Sequence, residues 1–337
     1  MGGEIDGLSA HARAVLASYQ NGLPLSPRPF REMARHLGTT ETGVLEALRE
    51  LIGRGVASRV GPVFRPGTVG ASTLAAMAVP SARLDAVAAK VSALPAVNHN
   101  YEREHRFNLW FVATGPDRTA VAKALAGVRA QTGLPVLDLP MLEAYHIDLG
   151  FPVDGVDASR PAAQPPIPVY RPGPGEGALV AAVQGGLPLV PRPFARLAAG
   201  AALTEDRVLA TLRRWQAHGV LARFGVVVRH RELGYRANAM VVWDVPDTEV
   251  AEVGRAFAGH PFVTLCYRRP RRLPEWPYNL FCMIHGRSRE RVTSQARVLA
   301  TVAGDAARGH DLLFSRRCFK QRGARYRFPE AVAHGAA

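Results

Sequence analysis

The sequence predicts an α+β protein made of two tandem copies of one unit, each a helix-turn-helix segment followed by a ferredoxin-like segment. The stretch Gly-Leu-Pro-Leu-Ser-Pro-Arg-Pro-Phe at 22–30 returns with a single change at 186–194. The same offset of 164 residues persists through paired glycines and arginines as far as Gly70 and Gly234. A period this long indicates domain duplication, because solenoid repeats run to roughly 20–50 residues.

Each copy is predicted to begin with short amphipathic helices separated by a proline-rich stretch, which is helix-turn-helix patterning. These helices are expected at 8–19, 30–37 and 41–54 in copy 1, and at 196–203 and 204–218 in copy 2. An apolar hinge strand follows in each copy, at 56–64 and 220–228. The two copies are therefore expected to share one local architecture.

The second half of each copy has the order β-α-β-β-α-β, which is ferredoxin-like. The expected strands are 74–79, 97–103, 107–113 and 136–149 in copy 1, and 237–245, 263–269, 278–284 and 311–328 in copy 2. The expected helices are 84–94 and 117–132 in copy 1, and 249–258 and 288–302 in copy 2. The resulting domain boundaries are 1–60 (helix-turn-helix) and 61–158 (ligand domain) in copy 1, 159–176 (proline-rich linker), then 177–224 (helix-turn-helix) and 225–330 (ligand domain) in copy 2.

Composition limits the class of protein. No apolar run approaches the roughly 20 residues that span a bilayer, and the acidic N-terminus lacks the apolar core of a signal peptide. The three cysteines are far apart in sequence, so neither a disulfide framework nor a zinc knuckle is supported. We expect a cytoplasmic protein without a membrane partner.

Positive charge is concentrated in the second half of the chain. Residues 159–337 hold 27 of the 42 Lys and Arg residues and 13 of the 28 Asp and Glu residues, which accounts for the whole net charge of +14. Such asymmetry points to a polyanionic partner on that side. Nucleic acid and a polycarboxylate small molecule fit equally well, and an arginine-rich proteome is the alternative without a ligand.

Two local strings depart from what a DNA-binding regulator of this architecture requires. They are His-Asn-Tyr-Glu-Arg at 99–103 with Phe-Asn-Leu-Trp-Phe at 107–111, and Cys-Tyr-Arg-Arg at 266–269 with Trp-Pro-Tyr-Asn-Leu-Phe-Cys-Met-Ile-His-Gly at 276–286. The overall order resembles the Lrp/AsnC regulators over nearly the whole chain. The strings resemble the sirohaem decarboxylases, which share that architecture and exist as paired subunits (the Ahb type) or as fused NirD–NirL chains.

The resemblance implies a lyase that removes two acetate carboxyl groups of sirohaem as CO2, giving 12,18-didecarboxysirohaem in haem d1 formation. No cofactor is expected, because the iron belongs to the substrate. Sirohaem carries eight carboxylates, so its pocket needs arginines as well as flat apolar surface. Other haem d1 biosynthesis proteins are possible partners. The two copies are expected to form an internal pseudo-dimer, with further homo-oligomerisation open.

Alternation along a strand places His99, Tyr101 and Arg103 on one face, where they are costly without a ligand. In this family context His99 is a candidate proton donor or axial iron ligand, with Tyr101 as donor or orienting group and Arg103 as a carboxylate clamp. A hydrogen-bonded sheet face is the alternative. Aligning Tyr101 with Tyr267 places Leu265 opposite His99, so copy 2 lacks this histidine.

Further candidates follow from matching positions in the two copies or from local chemistry. His146 is a fourth catalytic candidate, and Lys320 occupies its equivalent place in copy 2. The expected substrate-binding residues are Arg59, Arg65, Arg223, Arg229, Tyr267, Arg268, Arg269, Trp276, Tyr278, His285 and Lys320. Of these, His285 is a second candidate axial ligand, and no metal site of the protein's own is expected. Structural ion pairs, core packing and solvated surface are the alternatives.

DNA binding is disfavoured by the predicted recognition helices. Helix 41–54 carries three glutamates against two arginines, and Glu205 and Asp206 open its counterpart, where base-reading residues are expected. The helix-turn-helix segments are therefore interpreted as structural or dimerising. A ligand-responsive transcription regulator and a non-catalytic tetrapyrrole-binding protein remain the alternative functions.

Overall fold

The computed structural model describes residues 7–147, 173, 176–228 and 237–327, and it confirms the tandem α+β prediction. The helices are α1 (Ala10–Ser18), α2 (Pro29–His36), α3 (Glu41–Gly53), α4 (Leu84–Ala93), α5 (Arg118–Thr132), α6 (Glu176–Val183), α7 (Pro193–Gly200), α8 (Glu205–Ala217), α9 (Val250–Ala258) and α10 (Arg289–Ala303). The strands are β1 (Ala57–Phe64), β2 (Ala71–Met77), β3 (Val97–Arg103), β4 (Leu109–Gly115), β5 (Leu137–Leu139), β6 (Glu143–Ile147), β7 (Leu221–Val228), β8 (Ala237–Asp244), β9 (Val263–Arg268), β10 (Leu280–Gly286) and β11 (Gly309–Gln321).

Three elements differ from the sequence prediction. The closing strand of copy 2, predicted at 311–328, ends at Gln321 as β11. The closing strand of copy 1, predicted as one piece, is divided into β5 and β6, with the Pro140 position between them. Proline has no N–H for a sheet ladder, which accounts for a break at this point. Copy 2 also has a first helix, α6, which the pattern did not predict. Among the helices of the described ranges, none is long and apolar enough to cross a membrane.

The closing strands exchange between the copies. All strands except β1 and β7 form one nine-stranded sheet, in the order β5-β2-β4-β3-β11-β8-β10-β9-β6. The first part of β11 pairs with β8 in its own copy, and its later part pairs with β3 of copy 1. Reciprocally, β5 pairs with β2, and β6 pairs with β9 of copy 2. Each copy therefore completes the other's sheet.

Four hydrophobic clusters follow from this exchange. The helices α4 and α5 pack on one face of the copy 1 strands, and α9 and α10 on the copy 2 strands. The opposite faces of the two half-sheets pack against each other through a mixed cluster that includes Trp110, Tyr267 and Trp276. A fourth cluster joins both helix-turn-helix segments around β1 and β7. We call the face that carries the mixed cluster the inner face.

The repeated Gly-Leu-Pro-Leu stretch of each copy contacts the hinge strand of the other copy. The Leu23 N–H donates to Phe224 O (2.9 Å), and the equivalent Leu187 N–H donates to Val60 O (2.7 Å). A Cβ on Gly61 would meet the Cα of Gly186 at 3.0 Å, and one on Gly225 would overlap the carbonyl of Gln20. Glycine is required where two backbones approach so closely. The motif therefore recurs because each copy makes the same contact with the other.

Candidate active site

The predicted face of β3 exists and points to the inner side of the sheet. Asn100 donates from its side chain to Ala88 O of α4 (3.1 Å), so the neighbours on either side of it face away from the helices. The rings of His99 and Tyr101 are stacked, with centroids 6.2 Å apart and planes at 14°. Strand β3 therefore presents imidazole and phenol side by side at the boundary between the copies.

Arg59 on β1 supplies the positive charge beside this pair. Burial lowers its pKa to about 10, against the favourable influence of Tyr326. Its Nη2 donates to Pro62 O (2.8 Å), whereas its buried Nε has no hydrogen-bond partner within the described part of the protein. A buried N–H without an acceptor is unfavourable, so this group is available to an acceptor on a ligand.

His99 is neutral at physiological pH in this environment. Burial lowers its pKa from 6.5 to about 4, and the charge of Arg59 contributes in the same direction. A neutral imidazole offers a lone pair, as an axial ligand of iron must, and cannot act as an acid before it gains a proton. A bound carboxylate would oppose Arg59 and raise the pKa of His99.

The wall of this site comes from copy 2. After β11 the chain crosses copy 1, and the segment 322–327 is fixed there by the Arg322 N–H, which donates to Asn98 O (2.9 Å). Thr114 on β4 donates from Oγ1 to Arg325 O (2.7 Å). A Cβ on Gly323 would come within 2.5 Å of Nη1 of Arg59. The copy 1 site is thus enclosed by residues of both copies.

Arg103 and Arg269, predicted as carboxylate clamps, occupy equivalent buried positions between the copies. Arg103 donates from Nη1 to Leu313 O of copy 2 (3.0 Å), and Arg269 donates from Nη1 to Leu139 O of copy 1. Arg269 also lies over the ring of Tyr267, 4.5 Å from its centroid. Both arginines bind the other copy's closing strand, and their predicted ligand roles remain predictions.

The equivalent place in copy 2 has a different chemistry. Leu265 faces inward where copy 1 has His99, as the alignment predicted. His285 lies on the neighbouring strand and exchanges a hydrogen bond between its Nδ1 and Thr264 Oγ1 (2.8 Å). His285 is the counterpart of Thr114 rather than of His99. The two candidate axial ligands therefore lie in separate, pseudo-equivalent places.

The predicted aromatic contacts Trp276 and Tyr278 lie in the mixed inner cluster, away from His99. Trp276 is completely buried and packs edge-on against Trp110 (5.1 Å between centroids). Tyr278 donates its hydroxyl to Asp311 Oδ2 (2.6 Å), and this hydrogen bond together with burial raises its pKa. Their contacts are those of packing between the copies.

Other predicted residues are distributed around the inter-copy boundary. Lys320 lies opposite Asn100 and donates from Nζ to Ser92 O and Leu94 O at the end of α4, on the helix side of the sheet. Arg268 pairs with Asp247 (2.9 Å), and His146 lies opposite Cys266 in the β6–β9 ladder. The structure does not bring these three side chains to His99.

The hinge arginines have different placements. Arg223 lies opposite Val63 in the β1–β7 ladder. The pKa of Arg65 is lowered by burial, and its N–H donates to Val220 O (2.8 Å). Arg229 lies outside the described residues. Of the hinge set, Arg59 is the arginine whose charge acts on His99.

Sequence reasoning missed Tyr326, Gly323 and Gln184. Tyr326 is buried, packs edge-on against Phe64 (6.1 Å between centroids) and lies within the electrostatic influence of Arg59. Gln184, at the end of α6, binds the backbone of the same segment. The run Arg-Gly-Ala-Arg-Tyr-Arg at 322–327 was an available signal, because three arginines directly after a closing strand are unusual without a partner.

Each recognition helix contacts the other copy. Arg49 of α3 donates to Leu189 O (3.1 Å), and the equivalent Arg213 of α8 donates to Leu25 O (2.6 Å). At the helix N-termini, Glu41 pairs with Arg28 and Glu205 with Arg192. In a DNA-binding protein, arginines of the recognition helices would point at DNA. Here they bind the Gly-Leu-Pro-Leu stretch of the other copy, which agrees with a dimerising role. Over the described ranges, no cluster of His, Cys, Asp and Glu is arranged to hold a metal ion.

Comparison with known proteins agrees with this architecture. Residues 12–56 and 176–221 match the family described as "Siroheme decarboxylase NirDL-like HTH domain", and 68–146 and 232–320 match "AsnC-like ligand binding domain". The siroheme decarboxylase NirDL subunit of Paracoccus denitrificans is 47% identical over 314 residues, covering 92% of this chain and 95% of that protein. A NirD subunit of Stutzerimonas stutzeri is 56% identical over 146 residues, covering 43% of this chain and 96% of that subunit. A crystal structure of siroheme decarboxylase NirDL in complex with an iron-uroporphyrin III analogue superposes with a TM-score of 0.68 at 29% identity, covering 94% of both chains.

Proposed function

The chain belongs to the sirohaem decarboxylase family of NirDL type, and we propose that it is a carboxy-lyase that removes two acetate carboxyl groups of sirohaem as CO2. The product would be 12,18-didecarboxysirohaem, an intermediate of haem d1 formation. The observation that carries the proposal is the inner site of copy 1, where a neutral His99 stacks on Tyr101 beside the buried Arg59.

The reaction needs a carboxylate held in place, an electron sink and a proton. In each step the C–C bond to the carboxylate breaks, CO2 leaves, and the electron pair passes into the electron-poor macrocycle. The remaining methylene carbon then takes up one proton and becomes a methyl group. Arg59 is suited to hold the carboxylate, because its buried Nε has an unused N–H in the described part of the protein.

The reaction needs an acidic proton donor once the substrate is bound. In the ligand-free site His99 has a pKa of about 4, so its ring is neutral and lacks the acidic proton of an imidazolium. A substrate carboxylate next to Arg59 would cancel the repulsion and raise this pKa, so that the donor is loaded as the substrate arrives. Tyr101, stacked on His99, is positioned to orient the same carboxylate or to donate in its place.

The test is anaerobic incubation with sirohaem, followed by absorption spectroscopy and mass spectrometry of the product. We expect binding to perturb the spectrum and the product to lack two CO2 units. A perturbed spectrum with an unchanged mass would identify a tetrapyrrole carrier and refute catalysis. Tight, sequence-selective and salt-dependent DNA binding without turnover would instead support a regulator.

We further propose a reducing compartment, the cytoplasm, as the site of action. The buried Cys266 and Cys282 face each other across β9 and β10 with their sulfur atoms 3.5 Å apart, and they are not bridged. A sequence with three cysteines and no disulfide framework fits a reducing environment. The thiol content of protein purified without reductant tests this: two free buried thiols are expected, and a quantitative disulfide would contradict it.

A further inference from the structure

We propose that the segment 322–327 of copy 2 completes the substrate site of copy 1, and that Gln184 is the positioning residue that holds it there. The proposal rests on the function proposed above. The site gains a wall that the other copy supplies. A residue remote from the reacting atoms fixes this wall. We call residues 322–327, which follow β11, the tail.

Gln184 binds the tail with both ends of its amide. Its Oε1 accepts the N–H of Tyr326 (2.8 Å) and of Arg327 (3.2 Å), and its Nε2 donates to Arg327 O (2.5 Å). The side chain is 8% exposed. Backbone groups in a buried place need hydrogen-bond partners. The tail has no regular secondary structure, so three hydrogen bonds from the Gln184 side chain supply these partners in place of a sheet ladder.

The tail in turn packs against residues around His99 and Tyr101. Tyr326 packs edge-on against Phe64 and lies against Gly70, where a Cβ would come within 2.8 Å of its ring. Its hydroxyl and Arg59 influence each other's pKa, and Gly323 lies directly against the Arg59 guanidinium. The position of Arg59 relative to His99 therefore depends on the tail's being in place.

The tail also distinguishes copy 1's site from its counterpart. In sequence, the alignment of the closing strands that places Lys320 on His146 places Tyr326 on Pro152, which lies outside the described residues. Copy 2 has Leu265 in place of His99. His99 and the tail residue Tyr326 thus belong to the same site. The copy 1 site is therefore the one that the tail completes.

The experiment compares Gln184→Ala and Gln184→Glu with the wild type by hydrogen exchange in the ligand-free, full-length protein. Replacing Gln184 by alanine removes the acceptor of the Tyr326 and Arg327 N–H groups. Faster exchange of these two amides is therefore expected whether or not the proposal holds. The informative amide is that of Arg322, which bonds Asn98 and not Gln184. We expect its exchange to accelerate at least about tenfold in Gln184→Ala, since losing buried hydrogen bonds changes an equilibrium by about this factor. Gln184→Glu, which keeps both acceptor contacts, should restore part of the protection.

Binding of iron-uroporphyrin III, followed by absorption, provides the second readout. Its Kd and the KM for sirohaem should both rise about tenfold in Gln184→Ala, with a smaller change in kcat. The control is Gln20→Ala, the equivalent residue of copy 1, which should leave the Arg322 amide protected. Unchanged Arg322 exchange, or faster exchange with unchanged Kd, would overturn the proposal. Absence of CO2 release by the wild type would count against the proposed function alone, because exchange and Kd do not depend on turnover.

Discussion

His99 owes its properties to residues that are distant in the sequence. Its neighbour on the strand, Tyr101, provides the stacked ring, whereas Arg59 comes from the hinge strand about forty positions earlier. Burial and the nearby guanidinium act together to keep the imidazole neutral. In the proposed function this neutral ring either ligates the substrate iron or gains a proton when a carboxylate binds beside Arg59.

The first prediction separates chemistry from binding at His99. His99→Leu installs the residue that copy 2 has at this place, so the fold should tolerate it. Removing a general acid or base reduces turnover by about 100-fold or more. We expect kcat for CO2 release to fall by at least about this factor, while the Kd for iron-uroporphyrin III changes less than about tenfold. A matching loss in both would assign His99 to binding, and unchanged turnover would remove it from the mechanism.

The second prediction concerns stability against pH. The pKa of His99 is about 4 in the folded protein and 6.5 as its ordinary value, so the unfolded chain binds a proton between these values that the folded chain does not. The free energy of unfolding is therefore unaffected above pH 6.5 and falls as the pH drops toward 4. Relative to His99→Leu, the wild type should lose at most about 3 kcal/mol. Denaturant titrations of both proteins at pH 7, 5.5 and 4.5 measure this, and parallel pH profiles would contradict it.

At the scale of elements, the closing strands explain the placement of several predicted residues. Strand β11 passes from β8 to β3, so its side chains belong first to copy 2 and then to copy 1. Arg103 and Arg269 bind the carbonyls of Leu313 and Leu139, which are equivalent positions on the two closing strands. In the ligand-free protein this pair of arginines, retained between the copies, acts as a structural device of the exchange.

The third prediction tests this device with Arg103→Met, which keeps an unbranched side chain over its first four atoms and removes the N–H groups. Leaving the buried Leu313 carbonyl without this donor should lower the free energy of unfolding by about 1–3 kcal/mol. Arg106→Met is the control, because the exposed pair of Arg106 with Glu275 contributes less than about 1 kcal/mol. Urea unfolding of the three proteins provides the comparison. An undiminished stability of Arg103→Met together with a raised KM would return Arg103 to the role of a carboxylate clamp.

Local patterns predicted the elements well because their signals lie within a few residues. Alternation placed His99 and Tyr101 on one face, and the repeat predicted the last two helices of the helix-turn-helix segment in both copies, although α6 was missed. The exchange of strands was beyond such patterns, because no local signal states which copy a strand will join. This is why Lys320, matched with His146, turned out to lie on the helix side beside α4, and why the contact of Tyr326 with the copy 1 site was missed.

At the scale of the whole molecule, the two copies form one unit rather than two linked domains. They share a nine-stranded sheet, an inner cluster and a common helix-turn-helix core. Copy 1 contributes the histidine and copy 2 contributes the tail and the excess positive charge. Such a division of roles makes each copy incomplete alone, because copy 1 without β11 would expose both the edge of β3 and its inner face.

The fourth prediction follows from this shared construction. A protease site placed within 159–172, in the predicted linker, allows the full-length protein to be cut after it has folded. Because the copies are joined by two exchanged strands and the crossed Leu23 and Leu187 contacts, the fragments should co-elute as one species. They should also retain CO2 release within about twofold of the uncut protein, since no residue of the copy 1 site is removed and interfaces of this kind are stable. Size-exclusion chromatography and the sirohaem assay measure both, with urea-separated fragments as the dissociated control. Separation of the fragments in buffer would mean that the linker, and not the strand exchange, holds the two copies together.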